Sequence, residues 1–150
     1  PDPVVNDKFA HKLAFLDELK TWLGAGPAAT PSIVVGDLNI APLVEDVWSH
    51  KALLKVVSHT PIETETFEII RKGGEWIDVM RRFVPETEKL YTWWSYRAAD
   101  WDAADKGRRL DHVWASPQLD GRLLGVEVLR AARGWERPSD HVPVKAVFDL

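Results

Sequence analysis

At 150 residues the chain is long enough for one domain with a core of its own, and 45% hydrophobic against 28% charged residues is the ordinary balance of a globular protein. The formal net charge of −4 excludes a general polyanion binder, so any nucleic-acid contact has to come from a local basic face. There is no cysteine, no apolar run of membrane-spanning length and no signal-peptide pattern, which excludes disulfides and thiolate metal sites, points to no membrane partner and allows a cytoplasmic location.

Residues 1–5 read as an extended lead-in; the opening Pro1-Asp2-Pro3, without an initiator Met, fits a processed chain or a piece of a longer one. Asn6 is placed to cap a helix running to about Leu23, with Phe9, Leu13, Leu16 and Leu23 on one apolar stripe and Gly24 at the C-terminal cap. Residues 24–31 form a loop into Ser32 to Asn39, which reads as a buried strand that takes Ile33 to Val35 into a core. Ile40-Ala41-Pro42 and Glu45 to Trp48 read as loop with one helical turn. Pro61 starts a helix that carries Phe67, Ile69 and Ile70 and stops at Gly73-Gly74, and a second helix from Trp76 to Phe83 ends before Pro85. Four strands follow, Tyr91 to Tyr96, Leu110 to Ala115, Leu123 to Leu129 and Val142 to Phe148, with a polar loop from Asp100 to Gly107. Helices early and strands late predict an α/β domain, single over residues 1–150, with helices covering one face of a mixed, mostly antiparallel sheet.

Four stretches carry chemistry. The first strand ends in Gly36-Asp37-Leu38-Asn39, and strand alternation puts Asp37 and Asn39 on one face. A carboxylate there can take a proton from water or help hold a metal, and an amide can donate to a phosphate oxygen; the plainer alternative is an Asx turn closing the strand. Lys106-Gly107-Arg108-Arg109-Leu110-Asp111-His112 places an acid at a sheet edge beside a basic turn. Ser139-Asp140-His141 leads into the last strand, where an imidazole can contact phosphate with a carboxylate setting its charge. Tyr91-Thr92-Trp93-Trp94-Ser95-Tyr96 must turn Trp93 and Trp94 to opposite sides, one into the core and one toward a surface or pocket.

Together these stretches resemble the endonuclease/exonuclease/phosphatase superfamily, specifically the exonuclease III type of apurinic/apyrimidinic endonuclease. The resemblance rests on Gly36 to Pro42 with Asp46-Val47-Trp48, on Tyr91-Thr92-Trp93-Trp94, on Gly107 to His112 with Ser116, and on Ser139-Asp140-His141, all in the family's order. It implies one half of a four-layer α/β sandwich and Mg²⁺-dependent phosphodiester hydrolysis in DNA repair, with Mn²⁺ as a substitute ion. The implied substrate is double-stranded DNA with abasic sites or 3′ ends. By the resemblance, Asp37 orients or deprotonates the attacking water and Asn39 holds the phosphate. His141 binds the scissile phosphate, Asp111 sits near the leaving oxygen, Asp37 also serves the metal, and Asp140 supports His141 or the metal. Trp93, Trp94 and Arg108 lie on the substrate side.

The chain also departs from the family's pattern. Asp105 stands where Asn is usual, and Arg108 replaces an apolar residue that walls the sugar pocket in relatives. Asp78-Val79-Met80-Arg81 is a reduced form of another family stretch. The resemblance covers only the C-terminal half of the family's domain. The strand with the metal-binding Glu has no counterpart here, and Glu45, Glu63 and Glu65 stand in other contexts. The expectation is therefore an incomplete metal site and an uncovered apolar face, which pairs with the missing N-terminal half or drives self-association. The alternatives are a superfamily phosphatase acting on small phosphoesters, or a non-catalytic fragment.

Overall fold

The computed structural model describes residues 6–150; the lead-in read at residues 1–5 lies outside the described residues. The first helix, α1 (Asp7–Leu23), opens where expected, with the Asn6 side chain accepting from the Phe9 amide at 3.0 Å. It packs against α3 (Pro61–Gly73), which Thr60 and Glu63 open with a capping box. The two helix ends meet so closely that a Cβ on Gly73 would stand 2.3 Å from the Gly24 carbonyl oxygen, so glycine is required by contact there.

A three-stranded antiparallel sheet has β1 (Ile33–Asp37) on one edge, β5 (Asp111–Ala115) in the middle and β2 (Ile77–Asp78) on the other edge. Alternation along β1 and β5 divides their side chains between two cores. Val34 and Trp114 join Leu16, Leu19, Phe67 and Ile70 beneath the helices. Val113 and Ala115 face the other way, onto Val79 and Met80 of α4 (Val79–Phe83) and onto the hairpin of β6 (Leu123–Val128) and β7 (Val144–Phe148). Two shorter elements, β3 (Trp93–Trp94) and β4 (Gly107–Arg108), pair antiparallel, while α2 (His50–Leu53) and α5 (Trp101–Ala104) are single helical turns. Every strand pair among the described residues is antiparallel; α1 and α3 cover one face of the main sheet, and α4 with the β6–β7 hairpin covers the other face of β5.

The structure corrects several expectations. The run Ile33 to Val35 is an edge strand: Ile33 is 40% and Val35 68% exposed, because the hairpin reaches β5 but leaves the same face of β1 open. Ile69 is exposed on α3, one position off its buried stripe of Glu63, Phe67 and Ile70. The helix read from Trp76 to Phe83 is split. Residues 77–78 pair with β5, and Asp78 then caps α4 by accepting from the Arg81 amide at 3.2 Å. The aromatic strand shortens to Trp93–Trp94, and the polar loop after it holds α5, which Asp100 caps.

Two arginines are spent inside the fold. Arg109 is fully buried; its Nε and Nη2 donate to the two Asp46 oxygens at 2.8 and 2.9 Å, and its Nη1 donates to Asp78 at 2.7 Å. Arg81 completes the network with a 2.6 Å bond to Asp46. Burial works against the Arg109 charge, but Asp46 and Asp78 more than offset it and hold the guanidinium charged. These arginines weld the turn after β1 to β5 and α4 and do not reach a surface.

Candidate active site

The antiparallel register of β1 with β5 sets Asp37 directly opposite Asp111 at the open end of the ladder. Like charges in opposed positions repel. His141 lies between them. Its Nδ1 donates to Asp111 Oδ2 at 2.8 Å, and its Nε2 stands 3.6 Å from Asp37 Oδ2. Burial lowers the imidazole's affinity for a proton, but the Asp111 hydrogen bond and the charges of Asp111, Asp37 and Asp140 outweigh it, so the His141 pKa is raised above 6.5.

The backbone holds this arrangement in place. The Val142 amide donates to the Thr92 carbonyl and the Trp94 amide to the Asp140 carbonyl, both at 2.9 Å, which lays Asp140 to Val142 beside β3. The Thr92 hydroxyl, fully buried, donates to Asp111 Oδ2 at 2.6 Å and accepts from the Leu110 and Asp111 amides at 3.0 and 3.1 Å. Thr92 thus fixes the Asp111 carboxylate. It sits inside the aromatic stretch noted in the sequence, where its neighbours drew the attention.

Asn39 departs from the expected alternation. The strand ends at Asp37, and Asn39 takes φ +50° while its amide donates to Asp37 Oδ1 at 2.9 Å. This is the Asx turn weighed in the sequence, formed by the Asn39 backbone N–H, and it leaves Asn39 exposed. Asp140, expected to serve the metal, is not part of the Asp37–Asp111–His141 group; its Oδ2 accepts from Trp93 Nε1 at 2.9 Å.

Trp93 and Trp94 do face opposite sides. Trp94 is buried against Trp101 and donates to Asp105 at 3.0 Å. Trp93 lines a groove of about 630 Å³ with Trp48, Trp101, Arg97, Lys106 and Arg108. Lys106 stands 4.7 Å over the Trp48 ring and Arg108 5.2 Å over Trp93. Arg108 is further held by the Ser58 hydroxyl at 2.9 Å and the Val57 carbonyl at 3.2 Å. A groove of aromatic faces and cations suits a nucleic-acid strand, whose bases stack and whose phosphates need neutralising. Trp48 lies in the Asp46-Val47-Trp48 stretch, but nothing local in the sequence sets it beside Lys106.

Among the described residues, Asp37, Asp111 and His141 offer ligand atoms all within 4.8 Å of one another. Two carboxylates and an imidazole suit a divalent cation that prefers oxygen donors, with its other positions left to water or phosphate oxygens. The carboxylate of Glu63 is committed elsewhere. Fully buried, it accepts from the Ser58 and Thr60 amides and the Thr60 hydroxyl, and pairs with Lys12 at 2.5 Å.

The sequence pattern of the endonuclease/exonuclease/phosphatase family matches residues 10–141. The exodeoxyribonuclease III of Haemophilus influenzae is 29% identical over 148 residues, covering 94% of this chain and 55% of that protein. Among solved structures, an AP endonuclease from Archaeoglobus fulgidus superposes with a TM-score of 0.90 at 30% identity, over 99% of this chain and 58% of that one. A 3′-5′ exonuclease from Neisseria meningitidis superposes with a TM-score of 0.82 at 28% identity, over 99% and 57%. The chain spans about half the length of the relatives it matches.

Proposed function

This chain belongs to the endonuclease/exonuclease/phosphatase family, and on that premise we propose that it forms the phosphate-handling half of a metal-dependent phosphodiesterase acting on DNA, of the exodeoxyribonuclease III and abasic-site endonuclease kind. The observation that carries this reading is His141 held between the opposed carboxylates Asp37 and Asp111, beside a groove of tryptophans and cations.

Each residue has a chemical task in this reading. Asp37, exposed at the strand end, orients the attacking water and takes its proton. Asn39 donates its amide to a phosphate oxygen. His141, kept protonated by its two carboxylate neighbours, stabilises the charge that grows on the phosphate. Asp111 fixes the His141 ring and stands where the leaving oxygen departs. Asp140 holds Trp93 through its indole N–H, and Trp93 and Arg108 receive the DNA. Mg²⁺, or Mn²⁺ in its place, bound by Asp37 with its neighbours, supplies charge neutralisation at the phosphate.

The same reading makes the chain the C-terminal half of a sandwich. The open face of β1 and the half-length match to relatives support it. In that arrangement the remaining metal ligand, a Glu, comes from the N-terminal half.

The test is Mg²⁺-dependent nicking of a duplex with a single abasic site, with Asp37→Ala as control. Nicking by this chain that the substitution abolishes supports the nuclease reading and removes the need for a second half. Nicking only after the N-terminal half is added supports both claims. No nicking in either state, with turnover of small phosphoesters instead, overturns the DNA reading.

A further inference from the structure

The loop that turns Asn39 toward Asp37 is held by an unusual set of donors. Three successive carbonyls, of Asn39, Ile40 and Ala41, each accept from a side chain on a different element. Lys12 Nζ of α1 donates to Asn39 O at 2.6 Å. His112 Nε2 of β5 lies 2.7 Å from Ile40 O, and His59 Nδ1 lies 2.6 Å from Ala41 O. A carbonyl oxygen can only accept, so both rings carry their proton on the nitrogen that faces the loop. His59 Nε2 therefore accepts, and His50 Nδ1 at 2.8 Å is its donor. His59 and His112 are each 2% exposed. The loop amides are tied as well: Leu38 N to Leu110 O at 3.0 Å and Ala41 N to Ser58 O at 2.7 Å.

Buried carbonyls need partners, but any donor would satisfy them, and most loops find theirs in backbone or water. Here two histidines and a lysine from distant sequence positions converge on one tripeptide, directly after a residue at φ +50°. We propose that Lys12, His59 and His112 are positioning residues: by fixing carbonyls 39 to 41 they hold the left-handed turn at Asn39, whose backbone N–H is bound to Asp37 Oδ1, and so set the place of the Asn39 side chain. None of the three belongs to the Asp37–Asp111–His141 group. Their role rests on the assignment of Asn39 as a phosphate-holding group made above.

The test pairs substitutions that remove the donor with ones that keep it. His112→Leu and His59→Leu delete the N–H, while His112→Gln and His59→Asn place an amide N–H in its stead. Two readouts are taken on the folded protein: the NMR resonances of the Asn39 side-chain amide, and the kinetics of abasic-duplex nicking in the form that cleaves. The leucine variants are expected to shift or broaden the Asn39 amide signals and to lower kcat on the order of 10-fold, with KM within about 2-fold, because misplacing a positioned group costs rate more than affinity. The amide-bearing variants are expected to recover both. Should His112→Leu fail to fold, Lys12→Met at the partly exposed edge of the loop carries the same expectation. Leucine variants with unchanged Asn39 signals and kcat overturn the proposal, and so do amide variants no better than the leucine ones. If no DNA is cleaved by any form, the nuclease reading fails, while the Asn39 signals still decide whether the donors position it.

Discussion

Asp37 and Asp111 are register partners across the β1–β5 ladder, and His141 answers both with one ring: its Nδ1 is 2.8 Å from Asp111 and its Nε2 3.6 Å from Asp37. Two opposed carboxylates at an open sheet end repel each other, and that repulsion is relieved when the His141 ring between them carries a proton, a form the carboxylates favour. In the function proposed above, this same ring offers its positive charge to phosphate.

The first prediction concerns that charge. In metal-free buffer His141 is expected to titrate above 6.5, since its carboxylate neighbours outweigh burial. A raised folded-state value means its contribution to stability is fully present below the unfolded value near 6.5 and is lost as pH rises through the folded one. Asp111→Asn removes the strongest partner, so the imidazole resonance in that variant should titrate at lower pH than in the parent. An unchanged midpoint would show that Asp111 does not set the His141 charge.

The second prediction concerns the buried ions. Asp46 neutralises Arg109 and Arg81 together in a fully buried setting. Asp46→Ala leaves two guanidinium groups short of an acceptor, and breaking a buried pair from one side costs about 3–5 kcal/mol. Urea unfolding should show a loss of that size. Asp46→Leu combined with Arg81→Met should lose less than Asp46→Ala alone, because Arg109 keeps its bond to Asp78 and no charge of the network is left uncompensated. Equal losses would mean that the network stabilises through packing.

Much of this was legible in the sequence, for identifiable reasons. The α1 cap at Asn6, the Thr60–Glu63 start of α3 and the β5 run are local signals, and the structure follows them. The grouping of Asp37, Asp111 and His141 was also foreseen, since the three stretches that hold them carry the family resemblance. What was not legible depends on pairing across the chain. Val35 is exposed because β1 is an edge, and no pattern within β1 says so. Arg109 looks like a surface cation beside Lys106 until Asp46 and Asp78 arrive from distant positions. Thr92 and His112 lie within the quoted motifs, but their partners lie 19 and 72 residues away.

The third prediction follows from His112. Burial first, then the Arg109 charge, push its pKa down to about 4 from an ordinary 6.5. An unfolded chain takes up this proton near 6.5 while the folded one waits until about 4, so His112 makes stability rise with pH across that window. At about 1.4 kcal/mol for each pH unit, forcing the proton onto the folded form costs about 3 kcal/mol in all. Stability measured at several pH values should therefore fall less steeply between pH 6.5 and 4 in His112→Gln than in the parent protein. Parallel profiles would place the acid sensitivity elsewhere.

The last prediction concerns the open side of β1. Val35 is 68% exposed, Ile33 40%, and nearby Phe15 and Trp22 on α1 are 43% and 77% exposed. Among the described residues the strand has a partner only on its β5 side, so its outer edge also presents free backbone groups. A flat apolar edge strand invites pairing with another chain, and a single outward lysine is the usual natural safeguard. This chain on its own should self-associate with rising concentration in sedimentation velocity, and Val35→Lys should shift it toward monomer. The substitution lies on the exposed face and leaves Val34 in its core, so the melting temperature should stay within a few degrees of the parent. A parent chain that is monomeric at all concentrations would show that this face does not pair with itself. If it associates and Val35→Lys has no effect, the contact lies on another surface.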